Sequence, residues 1–319
     1  MPGKIRSKVG FVSLGCPKNL VDTERMILWL SERGATITGD QSDADVVVIN
    51  TCGFLESAKN ESLDTITEFA ELRSAGELSG LVVAGCMTER YLDLMRNKFP
   101  QVDAFIQTKE FSKIVEIVEA IETNDKTFLD TRLSLIGESN EHLKGHSEIT
   151  DYVTRSAGKR AFAYVKISEG CDRKCSFCII PKLRGRLHSR AIEGVINEVE
   201  QLVRFGTPEV VLIAQDLTSY GRDLKSDVSL TSLVRELEKV AGLQWYRLMY
   251  NYPRFFTDEL IEVLASSTKF TKYLDIPFQH SSDTMLKRMN RPESAADIRK
   301  LIEKLRNAIP GLSLRTTLM

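Results

Sequence analysis

The stretch Ser168-Glu-Gly-Cys171-Asp-Arg-Lys-Cys175-Ser-Phe-Cys178-Ile-Ile-Pro181 decides how this chain is read. Its three cysteines, separated by three residues and then two, follow directly on the apolar run Ala163 to Ile167. A strand that feeds a loop of this kind can set three thiolates on three corners of one 4Fe-4S cube. The fourth iron then has no protein ligand, and a small molecule can chelate it through an amine and a carboxylate. Two blander readings compete. A zinc knuckle needs a fourth Cys or His close by, and His188 is the only neighbour of that type; three inert buried thiols are the other.

Working outward, the chain of 319 residues is long enough for two domains, each with its own core. A hydrophobic content of 42% and a charged content of 27% are those of a soluble globular protein. No run of about 18 apolar residues occurs, and the N-terminus enters a strand without an apolar signal core. A cytoplasmic protein with no membrane partner is expected. In a reducing compartment the six cysteines read as metal ligands before disulfides. A net charge of −1 argues against a nucleic-acid footprint spread over the whole chain, though a local basic patch is compatible with it.

Residues 9 to 122 alternate short apolar runs with amphipathic stretches. Val9 to Leu14, Asp45 to Ile49, Leu81 to Ala84 and Asp103 to Gln107 read as strands, and the middle two are continuously apolar, as buried parallel strands are. Helices are expected from Asn19 to Arg33, Ser57 to Arg73, Thr88 to Phe99 and Phe111 to Glu122. The alternation predicts an α/β fold, a doubly wound parallel sheet. Cys16, Cys52 and Cys86 each follow one of these strands, one β-α unit apart, so all three thiols should emerge at the carboxyl edge where α/β sheets bind ligands. Singly, each reads as a small core hydrophobe; in register, the three predict a second 4Fe-4S cluster with one open iron. Gly15, Gly53 and Gly85 flank them, as close approach to an inorganic core requires, or as ordinary turns do.

From 123 to 160 the apolar periodicity lapses, and this segment reads as a linker. His142 and His146 within it are better read as solvated than as a metal pair. Residues 161 to 319 repeat a strand-helix unit: strands Ala163 to Ile167, Glu209 to Ala214, Trp245 to Met249, Tyr273 to Ile276 and Leu312 to Thr316 are separated by helical stripes such as Leu230, Leu233, Val234 and Leu237. Five parallel strands make a partial β/α barrel with its active site on the carboxyl-end loops. Gln215 and Asp216 follow the second strand; Gln279 and His280 follow the fourth. They are site candidates by position, or else loop caps. No side chain is singled out as a catalytic acid, base or nucleophile.

The Cys-x3-Cys-x2-Cys spacing, Phe177 before the third cysteine and the preceding strand resemble the radical S-adenosylmethionine (SAM) superfamily. The resemblance implies SAM bound at the open iron and cleaved to a 5'-deoxyadenosyl radical. It implies SAM contacts from Phe177, Gln215, Asp216 and Gln279. Through the pattern Arg184-Gly-Arg-Leu-His-Ser-Arg190 it adds a contact from Arg190, whose forked donors suit a carboxylate. With its three-cysteine α/β domain in front, the whole chain resembles the methylthiotransferases, which replace C–H by C–S–CH3 with a second cluster holding the sulfur. Gly15-Cys-Pro-Lys-Asn-Leu-Val-Asp22 is similar to the RimO branch. That branch implies a ribosomal protein of the small subunit, protein twelve, as substrate, modified at an aspartate β-carbon, and a flavodoxin- or ferredoxin-like electron donor. The MiaB branch, which acts on adenosine in tRNA, usually has Gln-Met in place of Pro17-Lys18. A non-catalytic iron–sulfur electron carrier is the reading from another class. Family members also continue into a sixth strand and a small C-terminal β-barrel, so the resemblance implies that this chain is shortened.

Overall fold

The computed structural model describes residues 4–135, 160–224 and 227–319, with side chains omitted for 131–135; His142 and His146 lie outside the described residues. The chain divides into two compact units, Met1–Ser147 and Glu148–Met319.

In the first unit five parallel strands run β1 (Lys8–Ser13), β2 (Thr36–Thr38), β3 (Val46–Thr51), β4 (Gly80–Gly85) and β5 (Ala104–Ile106), in the spatial order β2-β1-β3-β4-β5. Every residue of β3 and β4 is buried, which is why their sequences are apolar up to Asn50 and Thr51 at the end of β3. Alternate side chains serve opposite faces. Val46, Val48, Val82 and Ala84 pack with Met26 and Leu30 of α1 (Pro17–Glu32), with Ile114, Ile117 and Val118 of α4 (Ile114–Glu122), and with Leu129 of α5 (Lys126–Leu135). Val47, Ile49, Leu81 and Val83 pack with Ile66 and Phe69 of α2 (Glu56–Ala75) and with Met87 and Met95 of α3 (Cys86–Lys98). The sheet is therefore doubly wound, and its winding reverses between β1 and β3.

In the second unit the parallel strands β6 (Phe162–Lys166), β9 (Glu209–Ile213), β10 (Trp245–Leu248), β11 (Phe270–Asp275) and β12 (Ser313–Arg315) stand in sequence order. The small antiparallel hairpin of β7 (Ser168–Glu169) and β8 (His188–Ser189) follows β6. Ala163, Val165, Val210, Leu212, Tyr246 and Leu248 form one core with α7 (Ile192–Arg204), α8 (Leu230–Lys239), α9 (Asp258–Ser266) and α11 (Ala295–Ala308). Sequential strands with every crossover helix on one face are the architecture of a partial β/α barrel.

The differences from expectation have local causes. Thr36–Thr38 is an edge strand too short and polar to show periodicity. Helix α5 lies where a linker is expected, its Leu129 buried although its neighbours give no clear apolar stripe. Strand β11 starts at Phe270, three residues early: Lys272 has φ +50° and the register to β10 shifts there, which breaks the alternation. Helix α11 starts at Ala295 because Ser294 caps it, accepting from the Asp297 amide while Asp297 accepts from the Ser294 amide.

Leu233 on α8 is fully buried, whereas Arg235 on the same helix is exposed and pairs with Glu259 at 2.8 Å. Leu233→Ala is expected to lower stability by about 2–5 kcal/mol and Arg235→Ala by less than about 1 kcal/mol, as read by chemical denaturation.

Candidate metal centres

Cys16, Cys52 and Cys86 follow β1, β3 and β4, three strands adjacent in the sheet, so the register brings all three to one edge. Cys16 is the N-cap of α1, held ahead of Pro17 at the first helical position. Cys86 is the first residue of α3. Thiolates at helix N-termini are favoured by the macrodipole. The backbone there is closely packed. A Cβ on Gly15, at φ +88°, would overlap Cys52 Cβ and lie 3.0 Å from Cys52 Sγ. One on Gly53 would lie 3.1 Å from Met87 Cα, beside Cys86.

Polar side chains that sequence reading did not single out lock this edge. Asn19 Nδ2 donates to the carbonyls of Leu14 (3.0 Å) and Thr51 (2.9 Å). Asn50 Nδ2 donates to Asn19 O at 2.9 Å and to Thr23 Oγ1 at 3.0 Å. Thr51 Oγ1 donates to Ala84 O at 2.6 Å, and the Cys52 amide donates to Ser62 Oγ at 3.2 Å. The signal for Asn19 was its place three residues after a strand-end cysteine; for Ser62 there was none.

The second trio sits on the loop after β7. Cys171 N–H donates to Gly185 O at 3.1 Å, and Gly170, at φ +76°, packs so tightly on the Arg186 carbonyl that a Cβ would overlap it. Downstream, Ser176 N–H donates to Met289 O at 3.1 Å, Ser176 Oγ to Arg288 O at 2.8 Å and Asn290 Nδ2 to Lys174 O at 2.7 Å. The turn that ends α10 (Asp283–Arg288) thus clamps the middle of the loop. Burial pushes the Cys171 thiol up to about 12, with Asp216 and Cys178 adding repulsion; burial also raises Cys178, helped by Cys175. Three thiols close enough to repel one another and costly to ionise in water-poor surroundings suit a cationic inorganic core, which displaces their protons on binding.

Among the described residues no three of His, Cys, Asp or Glu converge on the position of a single ion. Zinc needs such a convergence, whereas a cube grips each thiolate through a different iron and needs its ligands further apart. His188 lies across the hairpin from Glu169. His280 is a structural hydrogen-bonder, its Nδ1 accepting from the Ser282 amide at 2.9 Å.

Glu169 and Gln215 meet at the carboxyl ends of the first strands. Burial opposes ionisation of Glu169, but Lys166 (2.6 Å) and Arg184 (3.4 Å), with the Gln215 amide, hold it well below the usual carboxylate range. Among the described residues Gln215 Oε1 is buried without a partner. Asp216 accepts from Arg173 Nε at 2.9 Å, Ser219 Oγ at 2.6 Å and Thr218 Oγ1 at 2.9 Å, so its carboxylate is occupied. Gln279 has φ +72°, rare for a residue with a Cβ, and among the described residues its side-chain amide has no hydrogen-bond partner. Phe177 is half-buried between Cys175 and Cys178.

Arg190 departs from expectation. Its guanidinium is buried against Glu198 of α7 and donates to the carbonyls of Lys166 (2.9 Å) and Gly194 (3.1 Å). It pins α7 to β6 and is turned away from any open ligand.

Residues 8–107 match the model of uncharacterized protein family UPF0004, and residues 165–319 match the radical SAM superfamily. The protein from Geotalea uraniireducens described as ribosomal protein uS12 methylthiotransferase RimO is 43% identical, over 100% of this chain and 69% of that protein. The protein of the same description from Geobacter sulfurreducens is 44% identical, over 98% and 68%. The chain belongs to the RimO-type methylthiotransferases. Among solved structures, the radical SAM methyltransferase TsrM from Kitasatospora setae superposes with a TM-score of 0.68 at 14% identity, covering 98% of this chain and 69% of that one, which is a likeness of fold. No helix among the described residues is long and apolar enough to cross a membrane.

The buried pair of Arg190 with Glu198 gives it a part in the architecture. Arg190→Met is expected to cost about 3–5 kcal/mol by removing the guanidinium that neutralises buried Glu198, and adding Glu198→Leu to recover most of that. Denaturant unfolding of the two variants checks it.

Proposed function

We propose that this chain inserts a methylthio group at the β-carbon of an aspartate in ribosomal protein uS12, using SAM and two 4Fe-4S clusters. The observation that supports this best is the pair of thiol trios, Cys16, Cys52 and Cys86 at one sheet edge and Cys171, Cys175 and Cys178 on one clamped loop. Each trio offers a cube three ligands and no fourth. With a cluster bound at Cys171, Cys175 and Cys178, the group supplies the electron that cleaves SAM and the iron that chelates its amine and carboxylate. The other trio would hold the sulfur to be transferred.

The protein's own side chains bind and orient. Gln215 Oε1, buried and without a partner, would accept from the SAM amine, and the Glu169 carboxylate, held ionised, adds negative charge there. Gln279, strained and with its backbone but, among the described residues, not its side-chain amide bonded within the chain, would donate to or accept from the ribose or the methionine end. Phe177 would shield the cluster from water beside its third thiolate. Asp216 takes its part through Arg173, and Arg190 takes none. A small flavodoxin- or ferredoxin-like protein would deliver the electron, in the cytoplasm where ribosomes are assembled.

Anaerobic reconstitution should load about eight irons per chain. Replacing Cys16, Cys52 and Cys86 by Ala should remove about half of that iron and keep the formation of 5'-deoxyadenosine, and replacing the other trio should abolish it. Modification of small ribosomal subunits rather than tRNA, read by mass spectrometry, decides the substrate. Gln279→Gly should relieve strain, leaving stability equal or up to about 1 kcal/mol higher, while weakening SAM binding severalfold in equilibrium dialysis.

A further inference from the structure

Arg173 lies between the first two cysteines of the loop and makes more contacts than the role of a spacer calls for. Its backbone N–H donates to Cys171 Sγ at 3.4 Å. Its guanidinium donates through Nε to Asp216 Oδ2 at 2.9 Å and through a terminal nitrogen to Ser219 Oγ at 3.1 Å. The same group stacks on two rings, 4.2 Å from the centroid of Tyr252 and 4.0 Å from that of Phe255. Arg291 lies 4.3 Å from the Tyr252 centroid and Arg222 4.1 Å from that of Phe255, so the two rings sit in a run of stacked guanidiniums. Tyr252 is fixed further by donating from its hydroxyl to Glu293 at 3.1 Å and from its amide to Thr218 Oγ1 at 2.9 Å.

This much fixation is costly for a surface loop. Asp216 is 3% exposed and Arg173 22%, so both charges are taken largely out of water. Such pairs are neutral or unfavourable for stability compared with an apolar filling. What the pair does provide is a cation of fixed position, two residues from the thiolate ligand Cys171 and two from Cys175. A hydrogen bond to a ligand sulfur and a nearby fixed charge are the two means by which a protein adjusts the reduction potential of a cluster. A lysine could not combine the fork on Asp216 and Ser219 with the stack on two rings.

We propose that Arg173 is a positioning residue that, as a rigid ion pair with Asp216, sets the reduction potential of the cluster held by Cys171, Cys175 and Cys178. This rests on the cluster assignment made above. Its amide holds Cys171 Sγ, and its guanidinium favours the added electron that SAM cleavage requires. Asp216 opposes it, so the potential is set by the balance of the two charges, and each alone should move it in opposite directions.

The test uses the full chain with Cys16, Cys52 and Cys86 replaced by Ala, so that a single cluster is reduced, and follows the reduced signal by electron paramagnetic resonance at controlled potentials. Arg173→Gln should lower the ratio of reduced to oxidised cluster at a fixed potential about tenfold, equivalent to about 59 mV for one electron. Asp216→Asn should raise it by a similar factor. The variant carrying both should fall within about twofold of the parent, and Arg173→Lys, which keeps the charge but not the fork and the stack, should fall between the parent and Arg173→Gln. Iron counts and melting curves accompany each variant, and if Arg173→Gln fails to hold the cluster, Asp216→Asn and Arg173→Lys carry the test. Shifts under twofold, or of the same sign in both single variants, would overturn the proposal. A parent that holds no cluster on its second trio would instead refute the cluster assignment, and this proposal would fall with it.

Discussion

Several thiolates can share one inorganic core only where the backbone can come close to it from more than one side, and the carboxyl ends of adjacent parallel strands provide that. In the first unit β1, β3 and β4 lie side by side, and each hands its chain to a helix at the edge where a cysteine stands. The valines, isoleucine and leucine of β3 and β4 hold that edge in register, since a slip by one residue would turn Val46 and Val48 from one core to the other and carry Cys52 with them. Gly15 and Gly53 have no side chain because the neighbouring cysteine or helix start occupies the space it would need. The second unit solves the same problem with one loop instead of three strands. A single loop has no sheet to register it, so it is clamped from outside, by Gly185 at its start and by Arg288, Met289 and Asn290 in its middle.

At the first edge the bonds of Asn19, Asn50, Thr51 and Ser62 go largely to strand-end carbonyls and amides, beside the buried charges of Lys18 and Asp22. The second is surrounded by buried ion pairs: Lys166 and Arg184 on Glu169, Arg190 on Glu198, Arg173 on Asp216. Pairs of this kind add little net stability but lose several kcal/mol when one partner is removed. They therefore hold each charge in one place, which matters where a zwitterionic ligand must be oriented and an electron accepted. Glu169 illustrates it: two cations keep it ionised in spite of burial, and its other oxygen takes the Gln215 amide and so directs the free Gln215 carbonyl oxygen.

The architecture was legible because it follows from patterns of local range. Apolar runs marked the strands, helical stripes marked the crossovers, and Cys16, Cys52 and Cys86 stand in the sequence just where three of those runs end. What escaped depends on partners far apart in the chain. Nothing in the sequence around Arg173 points to Asp216 and Ser219, 43 and 46 residues away, nor anything around Glu169 to Gln215, 46 residues on. The arginine-rich pattern places Arg190 near the site, and Glu198, eight residues on and on the inner face of α7, takes its guanidinium as a buried pair. Asp216 was placed correctly at its strand end, yet its oxygens are engaged with Arg173, Thr218 and Ser219, which gives it an indirect part.

The residues that distinguish the two branches of the family have a physical meaning in this fold. Pro17 and Lys18 are the first two residues of α1, directly after Cys16. Proline at the first helical position fixes φ and needs no hydrogen-bond partner there, so it stiffens the joint between Cys16 and its helix. Lys18 is buried, so it too belongs to the setting of the thiol and not to an exposed surface that could read a macromolecule. The sequence difference between the two branches therefore falls on the packing around Cys16 at the sheet edge. Choice of substrate must be carried by surfaces other than these two positions, and it is identity across the whole chain, 43 to 44% with proteins described as acting on uS12, that bears on it.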